Sequence, residues 1–443
     1  MRARKRFKLT SSRIIFASFL GVVLLGGFLL TLPVASSSGQ WTSFLDAVFT
    51  AVSATCVTGL VVHDTATFWS PFGQAVILAL IQIGGLGVFT TAFIVTVISG
   101  SKVTLIQRSL LKESISADNV KGIIRMSLFI VKVVLAVELV GALVLYVVFG
   151  REFGPIKGVW YAVFHAISAF CNAGFDLMGV RESYSSLVSY STNVLVNLVI
   201  MALIIIGGIG FYTWKDVRDH GLDIKRYRLQ SKISLLASAV LILVPAAIFF
   251  FTAYGDYPIK ERVLASAFQS VTARTAGFNT TDLTQFSQSN IMLMIMLMLI
   301  GGCSGSTAGG MKTTTFVIMV ATVFAIARRR DDTVIFQRRI PQQTIRNASV
   351  LLVLYVLGSL VGAMLISAHD NQPMIACFFE TASAMGTVGL TLGLTPSLSV
   401  FSHIILMVLM FIGRIGGLTL LFATFDKTSY SSEHYPLEDV NVG

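Results

Sequence analysis

Four short stretches of this 443-residue chain end alike: "TCVTG" (55–59), "FCNAG" (170–174), "ARTAG" (273–277) and "MGTVG" (385–389). What they offer is mostly backbone. Glycine allows the dihedral angles that aim successive carbonyl oxygens at one point. Four such turns around one axis would stack rings of oxygen that replace the water shell of a cation. No Asp or Glu falls within the four stretches. They therefore suit a weakly hydrated monovalent ion better than a divalent one. The candidate lining is Thr55, Cys56, Val57, Thr58 and Gly59; Cys171, Asn172, Ala173 and Gly174; Arg274, Thr275, Ala276 and Gly277; and Gly386, Thr387, Val388 and Gly389. Arg274 is the odd member. A cation in the wall would repel the ion, so its side chain is expected to turn away and pair, with Glu380 as the candidate partner.

Each stretch ends a longer copy. "AVFTAVSATCVTGL" (47–60) and "AVFHAISAFCNAGF" (162–175) share Ala, Val, Phe, Ala, Ser, Ala, Cys and Gly in one register. "FFETASAMGTVGL" (378–390) is a third copy, and "FQSVTARTAGF" (268–278) is a fourth, one residue shorter. A long apolar segment precedes each copy, near 14–34, 124–149, 232–253 and 348–368. A glycine pair within an apolar segment follows each: Gly84-Gly85, Gly207-Gly208, Gly301-Gly302 and Gly416-Gly417. These pairs serve either close helix packing or turning, and both readings stay open. The copies are too short to cross a hydrocarbon core, which takes roughly 20 helical residues. They read as re-entrant half-helices. The expected fold is an all-α polytopic membrane protein, with four repeats of span, pore helix and span in pseudo-fourfold arrangement around one pore. That gives eight transmembrane helices and four re-entrant pore helices. The repeats divide the chain at 1–98, 99–222, 223–335 and 336–443.

Composition agrees. Hydrophobic residues make up 54% of the chain and charged ones 12%, against about a quarter charged in soluble proteins. The net charge of +11 is not spread evenly. Lys and Arg cluster in 1–13, 102–125, 215–232 and 328–346, between alternate pairs of apolar segments. By the positive-inside rule these clusters mark the cytoplasmic side. The basic excess thus reports topology, not nucleic acid, although the basic loops and the tail from 426 are candidate contacts for a cytosolic partner. The apolar stretch from Ile14 to Val34 is longer than a signal-peptide core and reads as a retained span. Cys56, Cys171, Cys303 and Cys377 show neither metal-ligand spacing nor a disulfide framework.

One segment departs from the pattern. The apolar region from about 291 to 327 is too long for one straight helix and carries "GGCSGSTAGGMKTTT" (301–315) at its middle. A break near 305–315 makes two shorter helices joined by a polar loop. Its glycines let the chain bend, and its hydroxyls can satisfy the freed backbone groups.

Taken together, the four units resemble the Trk/Ktr/HKT superfamily of potassium transporters over nearly the whole chain. The most specific motifs are "TCVTGL", "ARTAGF", "GGCSGSTAGGMKTT" and "GRIGGLTL". The early first span is similar to the bacterial KtrB branch. Gly59 stands where sodium-selective plant members tend to carry serine. The resemblance implies potassium uptake rather than an enzyme, in a bacterial plasma membrane with both termini cytoplasmic. It implies a homodimer with one pore per subunit, in contact with membrane lipid. It also implies a cytosolic regulatory ring of RCK subunits, of KtrA or KtrC type, which binds nucleotide in place of this chain, and sodium as an activator. Finally, it implies an intramembrane gate formed by Gly305, Ser306, Thr307, Ala308, Gly309, Gly310, Met311, Lys312, Thr313 and Thr314, with Arg414 as a positive barrier beside it.

Two other classes compete. A broken-helix transporter of another solute predicts inverted repeats, whereas these copies run in one direction. An intramembrane serine protease would use "SGST" (304–307) with His165 or His403. It needs base and nucleophile within hydrogen-bond reach, and it leaves the four copies without a purpose. The charge clusters yield a direct test of topology. Cysteines placed near Lys225 and Arg329 should resist an impermeant thiol reagent in intact cells, and one near Asp176 should react. Labelling of either basic loop from outside would reverse the assignment.

Overall fold

The computed structural model describes residues 11–98, 111, 123–424, 436, 438 and 440. The first basic cluster except Arg13, the second except Arg125, and nearly all of the tail from 426 lie outside these residues. Among the described residues the regular elements are helices, apart from one small hairpin, β1 (Val334–Ile335) with β2 (Arg338–Arg339), and two isolated bridges.

Among the described residues four unbroken helices are long and apolar enough to cross a membrane: α1 (Ser11–Thr31), α6 (Ile123–Phe153), α10 (Leu229–Thr252) and α14 (Gln342–Asp370). Each presents a face of large apolar side chains outward, as with Leu24, Leu25 and Phe28 on α1 and Leu135, Leu139 and Leu143 on α6. Outward apolar faces suit lipid, which cannot satisfy polar groups. Each long helix leads into a short one: α2 (Phe44–Thr55), α7 (Pro155–Cys171), α11 (Ile259–Thr272) and α15 (Met374–Gly386). Proline marks three of these starts. Pro155 is the first residue of α7, while Pro258 and Pro373 immediately precede α11 and α15. Its fixed φ suits the opening turn of a helix, where its missing N–H is not needed. A brief helix, α3 (Thr65–Phe68), follows the first turn.

The helices after each short one are all interrupted. In the first unit α4 (Pro71–Leu86) gives way to α5 (Val88–Ile98) at Gly87. In the second, α8 (Val194–Gly208) and α9 (Phe211–His220) meet at 93°. The third has α12 (Gln288–Leu299), a loop, and α13 (Thr313–Ala327). In the fourth, α16 (Val400–Ile415) and α17 (Gly417–Thr424) meet at 100°. The sequence pointed to a break only in the third.

Glycines three residues apart build these breaks. Gly84, Gly207 and Gly413 sit where a Cβ would fall 2.0, 2.0 and 2.2 Å from the carbonyl oxygens of Thr55, Phe170 and Met385. Gly87, Gly210 and Gly416 take φ of 85°, 101° and 92°, left-handed values that stop the helix. The fourth-unit partner of Gly84 and Gly207 is therefore Gly413, and the pairing of Gly416-Gly417 with them is corrected. Gly84 and Gly207 of the paired glycines serve packing, whereas the turns fall at Gly87 and Gly210, which the sequence reading did not single out, and at Gly416.

Packing closes a circle. α4 lies on α7, α8 on α11, α12 on α15, and α16 returns to α2. Each unit thus grips the short helix of the next. The contact distances generate a prediction. Gly84→Ala or Gly207→Ala forces a methyl against a backbone oxygen, and overpacking of this kind costs about 1–3 kcal/mol. Both variants should unfold at lower temperature in detergent. Gly21→Ala, which has nothing within 4 Å of the added carbon, should not.

Candidate ion pathway

The four glycine-ended turns come together in one ring. A Cβ on Gly59 would lie 2.5 Å from Ala173 O, on Gly174 2.9 Å from Ala276 O, on Gly277 2.4 Å from Val388 O, and on Gly389 2.1 Å from Thr58 O. Each glycine abuts the carbonyl that precedes the next glycine, and the fourth returns to the first. Backbone conformation repeats as well. The glycines have φ of 95°, 70°, 85° and 92°, and the residues two before them, Val57, Asn172, Thr275 and Thr387, have φ of 56°, 58°, 70° and 50°. The residues between them are not left-handed. Alternating the sign of φ turns successive carbonyls toward one side of the chain, which is what a cation cage requires. Left-handed φ is a genuine outlier for β-branched Val and Thr. Such conformations persist only where the surroundings over-determine them.

The surroundings do so through a hydroxyl in each short helix. Ser53 Oγ accepts from Gly59 N at 3.1 Å, and Ser383 Oγ from Gly389 N at 3.0 Å. Ser168 Oγ donates to Phe175 O at 2.7 Å, and Thr272 Oγ1 to Phe278 O at 2.5 Å. Backbone bonds from Thr58, Ala173 and Val388 to the carbonyls of these serines are 2.8 Å each. In the third unit Ala276 N reaches Thr272 O at 3.0 Å, four residues back instead of five. The missing residue of that copy is absorbed there. These hydroxyl anchors were not among the site candidates. Serine shared by three copies, with Thr272 in the fourth, was the available signal.

Directly against the ring lies the loop between α12 and α13. Helix stops at Leu299 and resumes at Thr313. Hence the break starts earlier than 305, and Thr313 and Thr314 are the first turn of α13 rather than loop. The loop's polar groups are well satisfied. Thr307 N donates to Gly207 O at 3.3 Å, Cys303 N to Gly208 O at 3.0 Å, and Gly310 N to Gly413 O at 3.2 Å. Gly305 O accepts from Phe211 N at 2.7 Å. Ser306 Oγ donates to Cys303 O at 2.7 Å, and Lys312 Nζ to Ala308 O at 2.6 Å. Met311 O accepts from Gly301 N at 2.8 Å. Thr307 touches the second turn: its Oγ1 donates to Phe170 O at 3.0 Å and accepts from Asn172 Nδ2 at 2.9 Å. Gly309 and Gly310 pass so close to the fourth turn that added carbons would fall 2.0 Å from Thr387 Oγ1 and 2.8 Å from Gly386 O.

Arg414 pins this arrangement. Its guanidinium donates to Thr307 O in the loop and to Gly84 O and Gly85 O at the end of α4. A cation is favoured at a helix C-terminus, where the last carbonyls lack partners. A cavity of about 300 Å³ borders the loop and is lined by Lys312, Arg414, Ser306, Gly305 and Tyr355, among others. No residue of the four turns lines it.

The expected Arg274–Glu380 pair does not form. Glu380 accepts from Thr391 Oγ1 at 2.5 Å, Thr395 Oγ1 at 2.6 Å and Leu392 N at 3.1 Å. Its own turn has saturated it. Buried Arg274 instead donates to Thr313 Oγ1 at 3.3 Å, joining the third turn to the start of α13. The catalytic serine reading also loses its geometry. Ser304 bonds Thr314, and Ser306 bonds Cys303 O. His165 lies between Tyr161 O and Leu177 N, and His403 bonds Thr395 O.

Comparison with known proteins agrees with this architecture. Residues 10–434 match the family model TrkH, described as a cation transport protein. The chain is 38% identical to the potassium/sodium uptake protein NtpJ of Enterococcus hirae, covering 100% of this chain and 99% of that one. It is also 38% identical to the Ktr system potassium uptake protein B of Bacillus subtilis, covering 99% and 98%. Among solved structures, the potassium transporter TrkH of Vibrio parahaemolyticus superposes with a TM-score of 0.67 at 20% identity, over 95% of this chain and 86% of that one. That likeness is one of fold. With a full-length family match and relatives at this identity, the chain belongs to the TrkH/Ktr family of cation transport proteins, as a multi-pass membrane protein.

Proposed function

We propose that this chain is the ion-translocating subunit of a potassium uptake system, with the glycine ring as its selectivity filter. One observation carries the reading: four turns with the same alternating φ close head to tail into a ring. Potassium is the cation named for the relatives in Enterococcus and Bacillus, and sodium is named beside it for the first. Backbone carbonyls of 55–59, 171–174, 274–277 and 386–389 replace the hydration shell. Each quarter comes from one of the repeats 1–98, 99–222, 223–335 and 336–443.

The loop at 300–312 is the gate. It lies against two of the filter turns and is held by Arg414. Its open state requires the contacts of Thr307, Gly310 and Arg414 to release together. A cytosolic nucleotide-binding ring of RCK subunits biases that equilibrium, and it can do so only by binding the open and closed states with different affinity. Two such chains form a dimer, with both termini on the cytoplasmic side of a bacterial plasma membrane. Sodium acts as an activator.

Rubidium and sodium flux into proteoliposomes tests the reading. Gly277→Ser and Gly59→Ser place side-chain atoms where the neighbouring carbonyls stand 2.4 and 2.5 Å away. Preference for potassium over sodium should fall about tenfold or more, the result of roughly 1.4 kcal/mol of lost discrimination. Shortening the loop within 305–310, or Arg414→Ala, should raise flux in the absence of any ring subunit and leave the preference intact. Unchanged selectivity in both serine variants would remove these glycines from the filter. Lower flux from a folded, shortened loop would make it scaffold.

A further inference from the structure

Of the four basic clusters, the one at 328–346 contains arginine and no lysine: Arg328, Arg329, Arg330, Arg338, Arg339 and Arg346. The other three mix the two. Sidedness in a membrane needs only positive charge, which lysine supplies as well. Arginine adds a planar fork that binds phosphate through two parallel hydrogen bonds. Arg339 pairs with Asp332 at 2.7 Å. Arg328 and Arg330 are exposed, and among the described residues neither pairs with a carboxylate.

These two arginines end an apolar groove between α13 and the hairpin. Its cavity of about 460 Å³ is lined by Phe316, Val320 and Phe324 of α13, by Ile335 of β1, and by Arg328 and Arg330. Asp332 also lines it, already neutralised by Arg339. From Phe316 to Arg328 the helix rises about 18 Å at 1.5 Å per residue. That lies between half of a ~30 Å hydrocarbon core and half of the ~40 Å that includes the headgroups. A second cavity of about 330 Å³ adjoins the first, sharing Phe316, Val317 and Ile335 and reaching Leu236 and Val240 of α10. The hairpin is fastened to α13 by Thr322 Oγ1 and Thr333 Oγ1, 3.2 Å apart. Its turn is Phe336-Gln337, with φ of 47° and 60°. A turn with both residues left-handed ordinarily carries Asn-Gly or Asp-Gly, and a bulky side chain there is an outlier. Phe336 nevertheless stands at the tip, half exposed, and lines the second cavity. An apolar tip beside arginines suits the boundary between headgroups and acyl chains.

We infer that this face binds one anionic diacyl phospholipid. Arg328 and Arg330 hold its phosphate, and its two chains lie in the two adjoining cavities. Charge complementarity selects this occupant. A second copy of the chain would bring its own net charge of +11 to the arginines. A soluble phosphate would leave the apolar groove uncovered. The arginines belong to the clusters that mark the cytoplasmic side, where the leaflet carries anionic lipid. The site goes beyond the filter and gate readings, because no residue of the ring or of the loop at 300–312 lines either cavity.

The test is native mass spectrometry of the full chain in detergent, titrated with phosphatidylglycerol and with phosphatidylcholine of the same acyl chains. Phosphatidylglycerol should bind about tenfold or more tighter, as two arginines facing an anionic headgroup require. Arg328→Gln with Arg330→Gln should abolish that preference. Lysine at both positions keeps the charge and loses the fork, and should weaken binding about threefold. Ala321→Trp fills the first cavity, which Ala321 lines, and should weaken phosphatidylglycerol with every charge in place. Lys215→Gln with Lys225→Gln, in another basic cluster, should change nothing. Equal binding of the two lipids overturns the site, and so does a preference that survives loss of both arginines. Competition by glycerol phosphate as strong as by the lipid reduces the site to a headgroup contact and overturns it. Disulfide crosslinking of two copies through Phe324→Cys makes the face a dimer contact and overturns it too. Should Ala321→Trp fail to fold, the exposed arginine pair decides. Preference for rubidium over sodium should persist in every variant, so failure of the lipid site leaves the filter standing.

Discussion

Adjacent turns of the ring approach so closely that only a hydrogen fits between them. This contact, a glycine Cα against the next unit's carbonyl, is made four times and closes on itself. A ring of this kind has no slack. A side chain at any one glycine displaces its neighbour, which displaces the next. The rest of the fold serves this constraint. Hydroxyls of Ser53, Ser168, Thr272 and Ser383 hold the turns in left-handed conformations that Val and Thr disfavour. Each such residue carries a conformational cost on the order of 1–3 kcal/mol. The glycines at 84, 207 and 413 let the following helices press onto the carbonyls at the ends of the short ones. The circular packing of helices then fixes the turns from behind.

A second constraint follows from the membrane. Backbone that leaves a helix among apolar spans must find partners inside the protein or in a water-filled cavity. Each break in the second helix of a unit frees carbonyls, and the fold supplies donors one by one. Gly84 O and Gly85 O receive the Arg414 guanidinium, while Gly207 O and Gly208 O receive N–H groups of the loop. Gly413 O receives another, from Gly310. The loop is therefore not merely placed under the ring. It is the hydrogen-bond partner that three broken helices share, directly or through Arg414. Displacing it would leave several of these carbonyls without partners at once.

Much of this was legible in the sequence because the same pattern was written four times. A short apolar copy ending in glycine, between long apolar segments, is hard to place except as a re-entrant helix. What was not legible depended on register. Gly413 was passed over because its successor is Arg414, not glycine, and the visible pair at 416–417 drew the alignment three residues too far. Breaks in three of the four second helices were missed because one left-handed glycine suffices, whereas the third unit advertised its break with a long polar run. The partner of Arg274 was misjudged for another reason. Glu380 looked like a stranded acid, but Thr391 and Thr395, in the turn after its own glycine, already satisfy it. Local hydroxyls outcompeted a distant charge.

The departures from fourfold symmetry concentrate in the third unit, and they are connected. Its copy is one residue short between the anchoring hydroxyl and the turn. Its turn carries Arg274, and its second helix opens into the loop. Arg274 is buried and bonded to Thr313, the residue at which helix resumes after the loop. The third quarter of the ring is thus tied to the far end of the loop, while Asn172 in the second quarter is tied to its middle through Thr307. A movement of the loop cannot leave these two quarters untouched. The glycine ring thus stays closed while two of its turns, the second and the third, are bonded to the loop and to the helix that follows it.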